Sequence, residues 1–433
     1  MSKRRSAFFA LWILAGISVL LPATVLAETK LTVSGQVRVR SELDKKSFEP
    51  AASPLQFNDL RARLGIEAVV DANTHVFVQF QDSRRLGGVS AAGEYMSGTT
   101  NDAKNVDLHQ GYLLVDRLGV DGLGMQAGRY EINLGNQRVF GANDWSNVGR
   151  TWEGFSLSYK AAPAKVTAHA LKVLEPSAKK GVRDFDIVGL YGQIPETGLD
   201  LFGFYERNAE RIQGGDDPDL NLLDRFNVGG YYKKSYGLAD VEANAVYQFG
   251  DQGLKSPVME QDISAYLVTA EVGYARDCPH KPRIALGIDY ASGDKDPNDD
   301  TYGAYVGPYA TVHRIRGYMD YFRVDKPEGL ADLMLRLSME PAPGWTLKAD
   351  GHYFMAAADY EDYQKEMTKD VGFEVDLTAT TTKIAGLKAE GGFSVFFPSK
   401  SFANEIYKLR DPEKTDPGVW AYLMLTAGFG KDL

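Results

Sequence analysis

The chain has 433 residues, of which 44% are hydrophobic and 24% charged, and a formal net charge of −10 at pH 7. An acidic chain makes nucleic acid an improbable partner, and a lone cysteine, Cys278, excludes an internal disulfide. Beyond the N-terminal segment no apolar run is long enough to cross a bilayer as a helix, while 44 glycines and 23 tyrosines suit many short strands joined by tight turns.

In chain order, Lys3, Arg4 and Arg5 form a positive n-region, residues 7–21 an apolar h-region, and Val25-Leu26-Ala27 a cleavage site with small residues at −3 and −1. This pattern predicts a secretory signal peptide over 1–27, followed by a mature domain over 28–433. No cysteine follows the h-region, so lipoprotein processing is not expected.

From residue 31 onward, apolar and polar residues alternate with the period of two that marks strands with unlike faces. The spacing predicts about 18 strands: 31–43, 57–70, 73–83, 105–117, 121–131, 152–160, 164–174, 184–194, 198–209, 223–234, 238–250, 262–276, 282–292, 330–340, 344–355, 370–381, 385–397 and 418–430. In 371–379, for example, Val371, Phe373, Val375 and Leu377 alternate with Gly372, Glu374, Asp376 and Thr378. In 332–340, Leu333, Leu335, Leu337 and Met339 alternate with Asp332, Met334, Arg336, Ser338 and Glu340.

The links decide the class. Short ones (71–72, 118–120, 161–163, 195–197, 235–237, 277–281, 341–343, 382–384) alternate with long ones (44–56, 84–104, 132–151, 175–183, 210–222, 251–261, 293–329, 356–369, 398–417). A soluble sandwich has no reason to alternate in this way. An all-β, up-and-down antiparallel barrel in a bacterial outer membrane does, with short periplasmic turns and long external loops. Lipid leaves no partner for the backbone groups of a sheet edge, so the sheet must close, with its apolar face outward and its charged face toward a wet lumen. Tyrosine and tryptophan near strand ends, such as Tyr159, Tyr231, Trp345 and Trp420, fit interfacial girdles. The long loops are rich in acid, so much of the acidic balance sits outside, and membrane lipid and lipopolysaccharide are the expected surroundings of such a barrel.

No metal site is expected. Asp294 to Asp300 lacks the twelve-residue spacing of a calcium loop, and Asp277-Cys278-Pro279-His280 reads as a plain turn. No cofactor motif or catalytic constellation stands out; His109 near Asp107 comes closest, without a nucleophile.

Several segments resemble the alginate-export family of outer-membrane porins: "RARLGIEA" (61–68), "FVQFQDSR" (77–84), "DLHQGYL" (107–113), and above all "GRYEINLGNQRVFGANDWSNVGRTWEG" (128–154). "DYASGDK" (289–295), "HRIRGYMDYF" (313–322), "FEVDLTAT" (373–380) and "FSVFFPS" (393–399) fit as well. The resemblance implies a monomeric barrel of about 18 strands with a constricted pore that passes a polyanionic sugar chain, and an export system of that type would leave room for a periplasmic partner. One departure is the end of the chain, Phe429-Gly430-Lys431-Asp432-Leu433, which lacks the terminal aromatic common in such barrels.

A pore for anions needs fixed positive charge, and arginine holds a carboxylate through two parallel hydrogen bonds. By alternation, Arg38, Arg40, Arg61 and Arg63 point inward from the first two strands. Arg129, Arg138 and Arg150 belong to the family-like stretch and, with Asp144, complete the expected pore-lining, anion-binding set. The link 132–151 is long enough to fold into the barrel, so it is expected to narrow the pore, present Arg138 and Arg150 to an anionic solute, and hold one of them with Asp144. A charge ladder along Arg336, Lys348, Asp350, Glu374, Asp376, Lys388 and Glu390 is expected to pair across neighbouring strands. The leading expectation is selective passive diffusion of an anionic solute, either a polysaccharide such as alginate or a small carboxylate or sugar acid. An outer-membrane enzyme and a plugged structural or adhesive barrel are the alternatives.

Overall fold

The computed structural model describes residues 30–86, 106–174, 184–211, 221–255, 258–313, 315–322, 325–384 and 386–432. The predicted signal peptide and most of the links 84–104, 175–183 and 210–222 lie outside these residues.

The strands in chain order are β1 (Lys30–Lys45), β2 (Leu55–Asp71), β3 (Thr74–Arg85), β4 (Asp107–Val115), β5 (Leu123–Tyr130), β6 (Trp152–Ala161), β7 (Ala164–Leu174), β8 (Phe185–Ile194) and β9 (Leu199–Arg211). They continue as β10 (Asn221–Tyr236), β11 (Ala239–Lys255), β12 (Val258–Ala275), β13 (Arg283–Ala291), β14 (Thr301–Tyr302), β15 (Leu330–Met339), β16 (Trp345–Glu361), β17 (Met367–Thr381), β18 (Leu387–Pro398) and β19 (Gly418–Asp432). β14 is a two-residue stub lying parallel to β12, and the other strands form one closed antiparallel barrel of 18. The last strand pairs with the first, from Lys45 opposite Val419 through Val39 opposite Leu425, so the wall has no open edge.

The burial pattern is inverted relative to a soluble sheet. On β17, Phe373, Val375 and Leu377 are exposed while Glu374 and Asp376 are each only 1% exposed. Leu333, Leu335 and Leu337 on β15 are likewise exposed, and their cross-strand partners Tyr353, Gly351 and Ala349 share that outer face. An apolar exterior around a polar interior is what a barrel in lipid requires.

The structure departs from the sequence reading in three places. The links 251–261 and 356–369, expected to be long, are largely strand: β11 and β12 stay paired as far as Lys255 opposite Val258, and β16 and β17 continue to Glu361 opposite Met367. Beyond the lipid-facing band both faces of these strands are polar, so the period of two carries no contrast there. Within the expected loop 398–417 lies a helix, α1 (Lys400–Tyr407), whose N-cap Ser399 accepts a hydrogen bond from the Phe402 N–H at 3.1 Å.

The lumen is far from empty on the loop side. Phe48, Tyr318, Met319, Phe322, Phe354, Phe396, Phe402 and Trp420 form one buried cluster, with Phe402 brought in by α1. Tyr130, Phe140, Trp152, Ile187, Phe204, Leu267 and Tyr305 form another. Both draw on inward-folded links as well as on the wall, so these links pack as core.

Candidate pore constriction

The link after β5 turns into the barrel at Glu131 and crosses it. Asn136 meets Asn244 on β11 at 3.2 Å, and Arg138 forms an ion pair with Asp289 on β13. The chain then returns past β1–β3, where Asn147 donates to the Leu60 carbonyl at 3.0 Å and accepts, through its own carbonyl, from Ser83 at 2.6 Å. Phe140 anchors the crossing, its ring 4.8 Å from Phe204 and stacked 5.2 Å from Tyr309.

A second segment comes inward from the link between β13 and β15. Gly141 donates to the Tyr309 carbonyl at 2.9 Å, and Thr311 donates to the Gln137 carbonyl at 2.9 Å. The Trp145 indole lies flat on the His313 ring, 3.9 Å between centroids with a 4° interplanar angle. Together the two segments narrow the lumen at its middle. Below them, toward the short turns, is a cavity of about 600 Å³ roofed by Asn136, Gln137, Arg138, Thr311, His313 and Tyr318. Its walls carry both signs: Lys233 pairs with Glu242 at 2.8 Å, and Arg283 with Asp240 at 2.5 Å and Glu271 at 2.7 Å.

The four wall arginines, Arg38, Arg40, Arg61 and Arg63, converge on the returning part of the first loop. Arg38 donates to the carbonyls of Asp144 at 2.6 Å and Ser146 at 2.9 Å. Arg40 donates to the Trp145 carbonyl at 2.7 Å and to Glu42 at 2.6 Å, with its guanidinium 4.2 Å from the Trp145 ring centroid. Arg61 reaches the Asp144 carbonyl and the Asp144 carboxylate, each at 2.9 Å, and Arg63 reaches the same carboxylate at 3.0 Å. Register explains the convergence: Arg38 stands opposite Arg61, and Arg40 opposite Asp59. Like charges side by side repel, and the loop's carbonyls together with the carboxylates of Asp144, Glu42, Asp59 and Glu131 offset them. Burial alone would raise the Asp144 carboxyl, but Arg61, Arg63 and Arg38 outweigh it and hold that group below the usual carboxylate range.

Three placements differ from the sequence expectation. Asp144 is held by Arg61 and Arg63 of the wall, while Arg138 pairs with Asp289. Arg150 points back to the carbonyls of Gly141 at 3.2 Å and Ala310 at 3.4 Å, tying the two segments together. Arg129 stands opposite Glu153 and pairs with it at 2.7 Å, on the face shared by Phe155, Leu157 and Tyr159, so it points out of the barrel. The family-like stretch points to Arg129, whereas the period of two places it on the outward face with Leu123, Met125 and Ala127. The expected ladder on β15–β18 is also partly different. Arg336 turns toward Glu271 at 3.6 Å, and Glu374 accepts the Met319 N–H at 2.8 Å, so a wall carboxylate holds the second inward segment.

Trp145 lies in the link expected to narrow the pore, but its stacking on His313, and the parts of Tyr309 and Glu131, were not singled out from the sequence. The signal available was the length of the 293–329 link and its run of aromatics. Among the described residues no group of three or more His, Cys, Asp or Glu side chains has a metal-holding arrangement.

A closed, lipid-compatible barrel whose lumen is narrowed by inward loops is the build of an outer-membrane channel of the porin type. The sequence matches the Alginate export family over residues 29–406, and the chain belongs to that family. No curated protein matches the sequence. Among solved structures, Pseudomonas aeruginosa OccK8 (OprE) is similar with a TM-score of 0.59 at 12% identity, over 93% of this chain and 98% of that one. P. aeruginosa OccK2 (OpdF) in complex with glucuronate gives a TM-score of 0.58 at 12% identity, over 94% and 99%. P. aeruginosa OpdK with vanillate gives 0.57 at 10% identity, over 92% and 99%. At these identities the likeness is one of fold; the closed, lipid-faced barrel together with the family match places the protein in the outer membrane.

Proposed function

We propose that the channel passes an anionic solute by selective passive diffusion. The observation that carries this reading is the set of four inward arginines on β1 and β2 lining the wall beside the loop that narrows the lumen. Two of them, Arg61 and Arg63, hold the carboxylate of Asp144, whose side chain is 60% exposed. The four guanidiniums lie buried against the loop, so a solute carboxylate passing the same point meets their positive field beside the exposed edge of Asp144. Glucuronate and vanillate, the ligands of two similar barrels, both carry a carboxylate, which agrees with this class of solute. A sugar acid, as monomer or as a polyuronate chain, fits both this chemistry and the family.

The barrel is taken to act as a monomer, after removal of residues 1–27, with headgroup lipid around it; an export role would bring a periplasmic partner to the short-turn side. Liposome swelling tests the solute class. Uptake of glucuronate faster than glucose, and loss of that preference in Arg61→Gln/Arg63→Gln, supports the reading. Equal rates for the two sugars count against it. The packed loops favour one second reading, a plugged barrel with a structural role, and such a barrel would admit neither sugar. A hydrolase assay on the same preparation covers the enzyme alternative.

A further inference from the structure

The outer face of the wall carries an unbroken row of charge. Across the strands Arg129 stands opposite Glu153, Glu153 opposite Lys172, Lys172 opposite Asp186, Asp186 opposite Arg207, and Arg207 opposite Asp224. The sign alternates at every step from β5 to β10. Two of the pairs are in direct contact, Arg129 with Glu153 at 2.7 Å and Lys172 with Asp186 at 2.6 Å. This is the lipid-facing side, because exposed Phe155, Val188, Leu201 and Phe226 share it.

The height of the row is unusual. Glu153, Lys172, Asp186 and Arg207 each stand eight residues from the turn-side ends of their strands, Ala161, Ala164, Ile194 and Leu199. With a rise of about 3.4 Å per residue and a tilt of about 40°, that is roughly 21 Å above the turns, short of the apolar band of about 25 Å that such barrels present. β5 is shorter still and ends at Tyr130. On the opposite wall, Tyr353 is also eight residues from its strand end, Trp345. There the same height is wholly apolar, with Leu333, Tyr353, Phe373 and Phe397 in register.

Charged groups on a barrel's lipid face are costly in hydrocarbon and tolerated near the interface, and pairing does not remove the cost of taking each ion out of water. We propose that the outer leaflet dips against β6–β9, so that phosphate-bearing lipid headgroups seat on this row at a level where the opposite wall still faces acyl chains. Lys172, Arg207 and Arg129 take phosphate oxygens, and Glu153 and Asp186 between them take headgroup ammonium or hydroxyl groups. The inference is independent of what the pore passes.

Nitroxide labels measure it. In a Cys278→Ser background, Phe155→Cys, Val188→Cys and Gly351→Cys place a label on the outer face, each six residues from a turn-side end. The protein is reconstituted in phosphatidylethanolamine–phosphatidylglycerol vesicles. Collisional relaxation by a water-soluble nickel chelate, relative to oxygen, is expected to be several-fold higher at 155 and 188 than at 351. Equal ratios at the three positions overturn the proposal. Replacing Arg129, Glu153, Lys172 and Asp186 by leucine is expected to bring the 155 label down to the level of 351. A 155 label that stays polar in that variant overturns the role of the charges. Should that variant fail to assemble, the comparison on the unaltered row still decides the dip.

Discussion

Arg61 is enclosed by the loop it holds. Its side chain is 1% exposed, and one terminal nitrogen serves both the carbonyl and the carboxylate of Asp144. Arg61→Ala removes charge-assisted hydrogen bonds of about 1.5–3 kcal/mol each and leaves the Asp144 and Ser146 carbonyls to Arg38 alone. The loop is then expected to fluctuate, seen as excess open-channel noise in planar-bilayer recordings, with the barrel itself intact. Asp144 gives the matching pH prediction. Its pKa is depressed in the folded protein, so its contribution to seating the loop is complete above the unfolded value and is lost as pH falls through the folded one. Wild-type channels should therefore become noisy only below the ordinary carboxylate range. Asp144→Asn should be noisy already at neutral pH and flat with pH, and a quiet Asp144→Asn channel would remove Asp144 from the seat.

At the scale of the element, the constriction depends on aromatic packing as much as on charge. Phe140 is 2% exposed in the centre of its cluster. Phe140→Ala is expected to cost about 3–5 kcal/mol of local packing and to raise single-channel conductance as the crossing loosens. An unchanged conductance would mean that the loop does not set the pore width. In the wall, Gly198 has φ +77°, and a Cβ there would sit 2.0 Å from the Lys233 carbonyl oxygen. Gly198→Ala is thus expected to lower the denaturant midpoint of refolded barrels, by more than about 1 kcal/mol of stability. The strands themselves were legible because lipid imposes a strict period of two, as in Phe373, Glu374, Val375 and Asp376. The extensions of β11, β12 and β16 were not, since above the membrane both faces are polar and the period carries no contrast. Arg129 was legible by the same period, since it shares the outward face of β5 with Leu123, Met125 and Ala127, and only the family-like stretch points to it as pore-lining. The inward course of the second segment was hidden because Tyr309 and His313 find their partners, Phe140 and Trp145, in a link far away in sequence.

For the whole molecule, closure of β19 on β1 makes chain end and chain start one structural unit. Phe429 lies over Gly35, where any Cβ would fall 2.4 Å from its ring. That contact makes Phe429 the aromatic of the closing strand, and Phe429→Ala is expected to reduce the yield of assembled barrel in outer-membrane fractions. The claim that ties the parts together is that a narrowed, arginine-walled lumen prefers anions. The reversal potential of single channels under a salt gradient tests it most directly. A potential displaced toward the anion's equilibrium value, and shifted back toward zero in Arg61→Gln/Arg63→Gln, is the predicted result. A displacement toward the cation's value would contradict the account, because the acidic side chains of the lumen would then outweigh the arginines beside the constriction.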